Sequence, residues 1–358
     1  MGLLAHDERP KLQEFVRSYW GRDHVFVRDP AVFDWQHKGP RAYHCMAARQ
    51  GAELVGIQGV IPLKHFDGEL PGREVFFGMW RALEDRGIGI GLRLYKAILK
   101  EYQPDFIGSL GIEPRVIGLH QWQGFTVSVM NHHVALSPFV REFKIATLPD
   151  GLVPPARRKA SSASFQKLSS RDLDSLPTER LYAAQSPRKS NVYVRNHFLD
   201  HPVYTYEVYG MHANGALQAM CVVRAVAKGG AIALRVVDFM GPNEAVSWLG
   251  GLVTELLAAY GAEYADLYSC GIPPHLLEAA AFIDRRATPG LIVPNWFEPF
   301  TNRNIDIVCA RRTSGAAAPP RLFKADGDQE RPNSSTRAAA VQLTVGLPAS
   351  PSSWLMTS

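Results

Sequence analysis

Between a strand-like run and an amphipathic helix the chain carries Arg86-Gly87-Ile88-Gly89-Ile90-Gly91, and this turn limits what its first half can fold into. The preceding Val75-Phe76-Phe77-Gly78-Met79-Trp80 is rich in strand-favouring residues. The segment that follows puts Leu92, Leu94, Tyr95, Ile98, Leu99 and Tyr102 on one helical face, with Arg93, Lys96 and Lys100 opposite. Strand, glycine turn and helix start together bring backbone N–H groups and the positive end of a helix dipole to one point, which is an anion site. Glycines suit it because a side chain would hold a phosphate off the amides. The pattern also suits a tight turn that only packs a helix on a strand. A dinucleotide fingerprint would need G-x-G-x-x-G and a carboxylate after the next strand, but Phe106-Ile107-Gly108-Ser109-Leu110 ends without one. The Gly-Lys-Ser/Thr of a Walker loop is absent.

At 358 residues the chain has room for two domains, and 46% apolar with 20% charged residues is ordinary globular composition. It contains no run of about 18 apolar residues, so no membrane span is expected. Charges follow the first residues at once, against a signal peptide. Cys45, Cys221, Cys270 and Cys309 are scattered without C-x-x-C pairing. They read as buried thiols of a reducing cytoplasm, the expected location, with no metal. The net charge of +5 suits polyanionic small molecules, the expected partners; it would also suit nucleic acid, which is not expected here. Oligomeric state is not legible.

Periodicity lapses around Leu148-Pro149-Asp150-Gly151 and Pro154 to Ser162, which sets a linker at 146–170. The Ser-, Ala- and Pro-rich stretch 334–358 reads as a disordered tail. A shift of 160 residues then aligns the two halves. Gly111-Ile112-Glu113-Pro114 becomes Gly271-Ile272-Pro273-Pro274, and the Val75–Trp80 strand maps onto Leu234 to Met240. The helix maps onto Ala245 to Tyr260, but Arg86 and Gly89 become Val246 and Leu249, and of these loop positions only Gly91, as Gly251, stays glycine. The second half should therefore lack the anion site and shape an acceptor pocket instead.

The spacing Arg-x-x-Gly-x-Gly resembles the pyrophosphate loop of the GNAT superfamily of acyl-CoA-dependent N-acyltransferases. Helices at Glu8–Tyr19 and Asp29–Trp35, strands at Tyr43–Ala48, Leu54–Pro62 and Asp105–Leu110, and a helix Pro114–Gln123 ending at Gly124-Phe125 follow the order of such a domain. The resemblance implies an α/β (α+β) protein of two GNAT-like domains, 1–145 and 171–333. Each would be a mixed, mostly antiparallel sheet flanked by helices. It also implies acyl-CoA as co-substrate, held by Ala82, Leu83, Arg86, Gly87, Gly89, Ile90 and Gly91, with an oxyanion donor near Arg81-Ala82-Leu83. Catalytic candidates are Glu84 as base and His120 as acid; His120 stands where the family commonly has Tyr, and an imidazole can donate or relay a proton. Asp34, Trp35 and His37 border the acceptor in this fold, and Trp35 offers a stacking surface.

His201-Pro202-Val203-Tyr204-Thr205-Tyr206 and the segment Phe323 to Asn333 resemble tandem-GNAT proteins of cell-surface polysaccharide pathways. That resemblance implies acylation of the amine of a nucleotide-linked amino sugar, with His201 and Tyr204 on the acceptor side and the Asp326–Asn333 stretch docked near it. A Fem-type aminoacyl transferase and a non-catalytic module binding CoA or a nucleotide-sugar are the alternatives.

Overall fold

The computed structural model describes residues 1–155, 163–183, 185–297, 300–314 and 319–332. The stretch 334–358 and the middle of the expected linker, 156–162, lie outside the described residues. Strand β1 (Gly2–Leu4) leads into helices α1 (Arg9–Trp20), α2 (Val25–Arg28) and α3 (Pro30–His37). Asp29 starts α3 by accepting a hydrogen bond from the Ala31 N–H at 3.1 Å, with Pro30 supplying a helical φ. Strands β2 (Tyr43–Gln50), β3 (Glu53–Pro62) and β4 (Glu74–Ala82) form an antiparallel meander. Helix α4 (Ile90–Tyr102) then crosses to β5 (Phe106–Leu110), which runs parallel to β4. Leu12, Phe15, Phe26, Val32 and Phe33 pack the first three helices on one face of the sheet. Ile90, Leu94 and Ile98 pack α4 on the other.

Strands β4 and β5 part company midway. Their ladder runs from Glu74↔Phe106 to Phe77↔Ser109 and stops there. Against β3 the register jumps between Val60↔Phe77 and Gln58↔Trp80, so β4 carries one extra residue at Gly78-Met79. A bulge of this kind bends and twists its strand, and it opens the wedge between β4 and β5.

Helix α5 (Ile117–Trp122) is followed by β6 (Thr126–Val129) and β7 (Asn131–Leu136), with Met130 alone between the two strands. Yet β6 belongs to the first sheet and β7 to a second. The second half continues through β8 (Ser164–Leu168), the short helices α6 (Ser170–Ser175), α7 (Glu179–Ala183) and α8 (Asn191–Val194), then β9 (Glu207–Ala213), β10 (Ala216–Lys228) and β11 (Ala231–Met240). Helix α9 (Leu249–Tyr260) crosses to β12 (Tyr264–Cys270), parallel to β11, and α10 (Pro274–Ala279) leads to β13 (Ile283–Asp284). After the hairpin of β14 (Trp296–Phe297) and β15 (Phe300–Thr301), strand β16 (Val308–Thr313) returns to the first sheet between β5 and β6. The sheets thus run β1-β2-β3-β4-β5-β16-β6 and β13-β7-β12-β11-β10-β9-β8. Two mixed, mostly antiparallel sheets with flanking helices repeat the 160-residue shift. They do not divide at the expected boundaries of 145 and 171, because β7 and β16 have changed sides. A single apolar cluster spans both, from Ile61, Phe76 and Leu110 to Val222, Val237 and Tyr268.

Strands β11 and β12 also part, after Val236↔Leu267. Here the gap is filled. Strand β17 (Leu322–Phe323) pairs with Ser269 and Cys270 of β12, while β7 holds the opposite edge of β12 as far as Ser269↔Asn131. Residues 321–332 therefore form a strap whose first part lies in the second wedge. Lys189 anchors it, its Nζ lying 2.6 Å from both Asp238 Oδ2 and Asp326 Oδ1 with all three residues buried. Further along, Glu330 pairs with Arg224 at 2.6 Å and Lys324 at 2.8 Å. Burial alone would raise the Glu330 pKa, but these cations outweigh it and hold the carboxyl at about 2.

Replacing Lys189 by Met should cost about 3–5 kcal/mol in urea unfolding, because two buried carboxylates lose their cation. The Glu330 contribution is complete above the ordinary glutamate range near pH ~4.3 and is lost as pH falls toward the folded value. Unfolding titrations across that acid window should show this slope, and Glu330→Gln should remove it.

Candidate active site

The open wedge of the first sheet gathers the functional groups. At its mouth Glu84–Arg86 form a 3₁₀ turn, Gly87 has φ +144° and Gly89 caps α4 in the left-handed region at φ +74°. A Cβ at Gly89 would meet no neighbour within 4 Å, so backbone conformation is what demands glycine there. Gly91 differs: a Cβ on it would come 2.6 Å from Trp80 Cζ2. The first intrahelical bond of α4 is Arg93 N–H to Gly89 O at 3.0 Å, so the N–H groups of Ile90, Gly91 and Leu92 point out of the helix start. Ile88 stands at the crest, 97% exposed. Arg86 is exposed and lies 3.6 Å from Glu53 and 3.9 Å from Asp85.

Inside the wedge the free edge of β4 supplies donors. The Leu83 N–H bonds Val55 O on β3 at 3.0 Å. Because successive N–H groups of a strand alternate in direction, those of Ala82 and Trp80 point to the other edge, which β5 has left. Of the two cofactor contacts expected here, Ala82 faces the wedge through its amide, whereas that of Leu83 is spent on the sheet. Trp80 crosses the wedge on the α4 side, its ring centroid 6.3 Å from that of His120 and edge-on. Its Nε1 is buried without a partner among the described residues, as is Oε1 of Gln58, its ladder partner on β3.

His120 is buried, and its Nδ1 lies 2.9 Å from Val116 O. A carbonyl only accepts, so Nδ1 carries the proton and Nε2 is left an acceptor. Burial pushes the imidazole pKa down, the Val116 carbonyl opposing it. Nε2 is then the ring atom through which the acid role expected of His120 would run. Glu84 is exposed on the loop side, at the start of the turn that leads into α4.

The opposite face of the wedge is closed by the strap. Gln329 Nε2 donates to Leu110 O at 3.3 Å and sits in the space a Gly111 Cβ would fill. Asp328 Oδ2 lies 3.6 Å from where a Gly78 Cβ would be, beside the bulge, and 3.8 Å from Arg331 Nη1. The Asp326–Asn333 stretch was expected to dock near the acceptor side, but Asp328 and Arg331 were not named, because their position follows from the fold and not from any local pattern. Gly78 and Gly111 were the available signal: one lies at the bulge within β4 and the other just past the end of β5, and both leave room for something to approach.

The expected acceptor residues separate. Trp35, His201 and Tyr204 meet, with ring centroids 4.3 Å apart for the first pair and 5.3 Å for the second. Trp35 also packs on Phe66 and His197 and donates from Nε1 to Asn196 O at 3.2 Å, so it joins the two halves and is not laid open for stacking. His201 accepts at Nδ1 from the N–H groups of Val203 and Tyr204, and burial with Arg224 nearby lowers its pKa to about 3. His37 is fully enclosed, bonded to Val60 O at 3.0 Å, and sits just behind Gly59 and Gly78. Asp34 turns away, accepting from the Tyr43 hydroxyl at 2.8 Å and pairing with Arg9 at 3.3 Å.

In the second half the equivalents of the loop, Val246 and Leu249, are buried apolar residues, and β17 occupies the wedge. Among the described residues no helix is long and apolar enough to cross a membrane.

No protein-family model and no curated protein matches the sequence. Solved structures do. A GCN5-related N-acetyltransferase from Anabaena variabilis ATCC 29413 superposes with a TM-score of 0.53 at 12% identity, over 87% of this chain and 72% of that one. The chain has the GNAT fold, twice over. A GCN5-related N-acetyltransferase from Kribbella flavida matches at 0.49 and 11% identity over 87% and 69% of the chains. A tandem GNAT protein from the clavulanic acid biosynthesis pathway matches at 0.44 and 11% over 88% and 98%.

Gly91→Ala should destabilise by about 1–3 kcal/mol through overpacking against Trp80. The companion Trp80→Phe, which makes room, should recover part of the lost melting temperature; equal losses in the single and double variants would refute the contact.

Proposed function

We propose that the first half transfers an acyl group from acyl-CoA to an amine. The observation that carries this reading is the coincidence, at one end of β4, of a glycine-turned helix start and a strand edge whose amides face an open wedge. The N–H groups of Ile90 to Leu92 would receive the pyrophosphate. Those of Trp80 and Ala82 would receive the thioester oxygen as it gains charge. The amine nitrogen attacks the thioester carbon, the C–S bond breaks, and the CoA thiolate leaves. The ammonium proton passes to a base. Asp328 is best placed for this, being 7% exposed, beside the bulge, and on the face away from the phosphate loop. Glu84, solvated next to the phosphates, fits the role less well. His120 and Trp80 would line the thiol end.

For the acceptor we propose the amine of a nucleotide-linked amino sugar, the class the sequence resemblance implies. The Arg331 guanidinium beside Asp328 supports an acceptor bearing negative charge. Residues 171–332 would shape that acceptor side and bind no CoA.

Calorimetry should show acetyl-CoA binding to the protein and none to Gly89→Trp. Thiol release should follow on adding an amino-sugar nucleotide, with a matching mass gain on the sugar. Asp328→Asn should lower kcat by about 10²–10⁴ while leaving acetyl-CoA affinity unchanged. Binding without thiol release across a panel of amines would sink the enzyme reading, and absence of binding would sink the CoA site itself.

A further inference from the structure

Two strands from different sheets bring their sulfurs together in the shared core. Cys270 ends β12 in the second sheet, and Cys309 lies on β16 in the first. Ser128, ladder partner of Cys309 on β6, places its hydroxyl 3.2 Å from Cys309 Sγ and 3.5 Å from Cys270 Sγ. Arg311 follows two positions along β16, on the same face, and points Nη1 at Cys270 Sγ from 3.2 Å. Among the described residues no carboxylate pairs with Arg311. A cation that faces sulfur instead of a carboxylate is well placed to stabilise a thiolate. Cys45 and Cys221, by contrast, are each fully enclosed in a separate apolar cluster.

We propose that Cys270 and Cys309 form an oxidisable dithiol, a modification site at which a hydroperoxide converts the pair into a disulfide joining the two sheets. Cys270 is the attacking sulfur. The Arg311 guanidinium and the Ser128 hydroxyl both reach its sulfur, and the same hydroxyl bridges to Cys309. The Cys270 thiol accordingly falls below the usual thiol range while Cys309 is pushed above it, and burial raises the Cys45 thiol to about 12. Cys270 also keeps 9% exposure, and Ser128 and Arg311 are only half-buried, so a small oxidant can reach it. The thiolate attacks one peroxide oxygen and the O–O bond breaks. The leaving alkoxide or hydroxide takes a proton, and Cys270 becomes a sulfenic acid. Cys309 sulfur then attacks Cys270 sulfur, the S–S bond forms as the S–OH bond breaks, and hydroxide leaves as water with the Cys309 proton. Two electrons have passed from the thiols to the peroxide.

Titrating the whole native protein with hydrogen peroxide tests this. Free thiols should fall from four to two, the mass should drop by two hydrogens, and a peptide map should link Cys270 to Cys309, all reversed by dithiothreitol. Cys309→Ser should instead accumulate a sulfenic acid at Cys270 that a cyclic 1,3-dione traps. Arg311→Gln should slow oxidation nearly tenfold at about pH 5, below the thiol pKa with or without the cation, and only about twofold at neutral pH, as that pKa rises by about one unit from about 6. Four persisting thiols would overturn the proposal, as would a disulfide or adduct mapped to Cys45 or Cys221, or a Cys270→Ser variant oxidised as fast as the parent. Should Cys309→Ser fail to fold, the peptide map of the parent protein decides alone.

Discussion

The ion triad of Lys189, Asp238 and Asp326 holds the centre of this molecule together. Three charges removed from water would be costly if any were unmatched. Here one ammonium lies against two carboxylates at 2.6 Å, and Asp326 also accepts from the Phe323 N–H at 2.6 Å. Satisfied in this way, the triad fixes where the strap enters the second sheet. Everything downstream inherits that position. From Leu322 and Phe323, seated on β12, the next residues run over the interface to the first wedge. There Gln329 and Asp328 reach Leu110 and Gly78.

One architecture thus serves two ends. Both halves part their central parallel strands after four paired residues. Both place a left-handed glycine at the end of the second strand, Gly111 at φ +72° and Gly271 at φ +94°. The same strap approaches both glycines, through the Gln329 side chain at the first and the backbone of Pro320 and Arg321 at the second. What differs is what fills the wedge. In the second half the slot is occupied by the chain's own β17 and the turn is packed with Val246 and Leu249. In the first half the wedge stays open, and buried Gln58 Oε1 and Trp80 Nε1 lack partners among the described residues.

Local patterns carried much of this into the sequence. The 3.6-residue periodicity of α4 and its glycine turn, the Asp29-Pro30 helix start, and the paired G-I-x-P segments each rest on chemistry confined to a few neighbouring residues. All three appear where they were expected. The failures share a cause, which is long-range placement. Nothing near β7 or β16 reveals that the two strands sit in each other's sheets, because a six-residue strand reads the same in either. Trp35 beside His37 reads as an acceptor surface, but Phe66, His197 and His201 close around its ring from distant parts of the chain. The loop glycines were assigned a common purpose, and the structure separates them: φ at Gly87 and Gly89, the Trp80 ring at Gly91.

The strand exchange also sets an order of events at the ribosome. Until β16 emerges, β5 and β6 of the first sheet each present an unpaired edge, and β7, one residue beyond β6, has no sheet to join. Unpaired edges are where nascent chains associate wrongly. The first sheet therefore cannot be completed until nearly all of the second half has been made. The strands on the path of the second sheet all precede β16 in the chain, so the half that begins first is the one whose sheet is completed last.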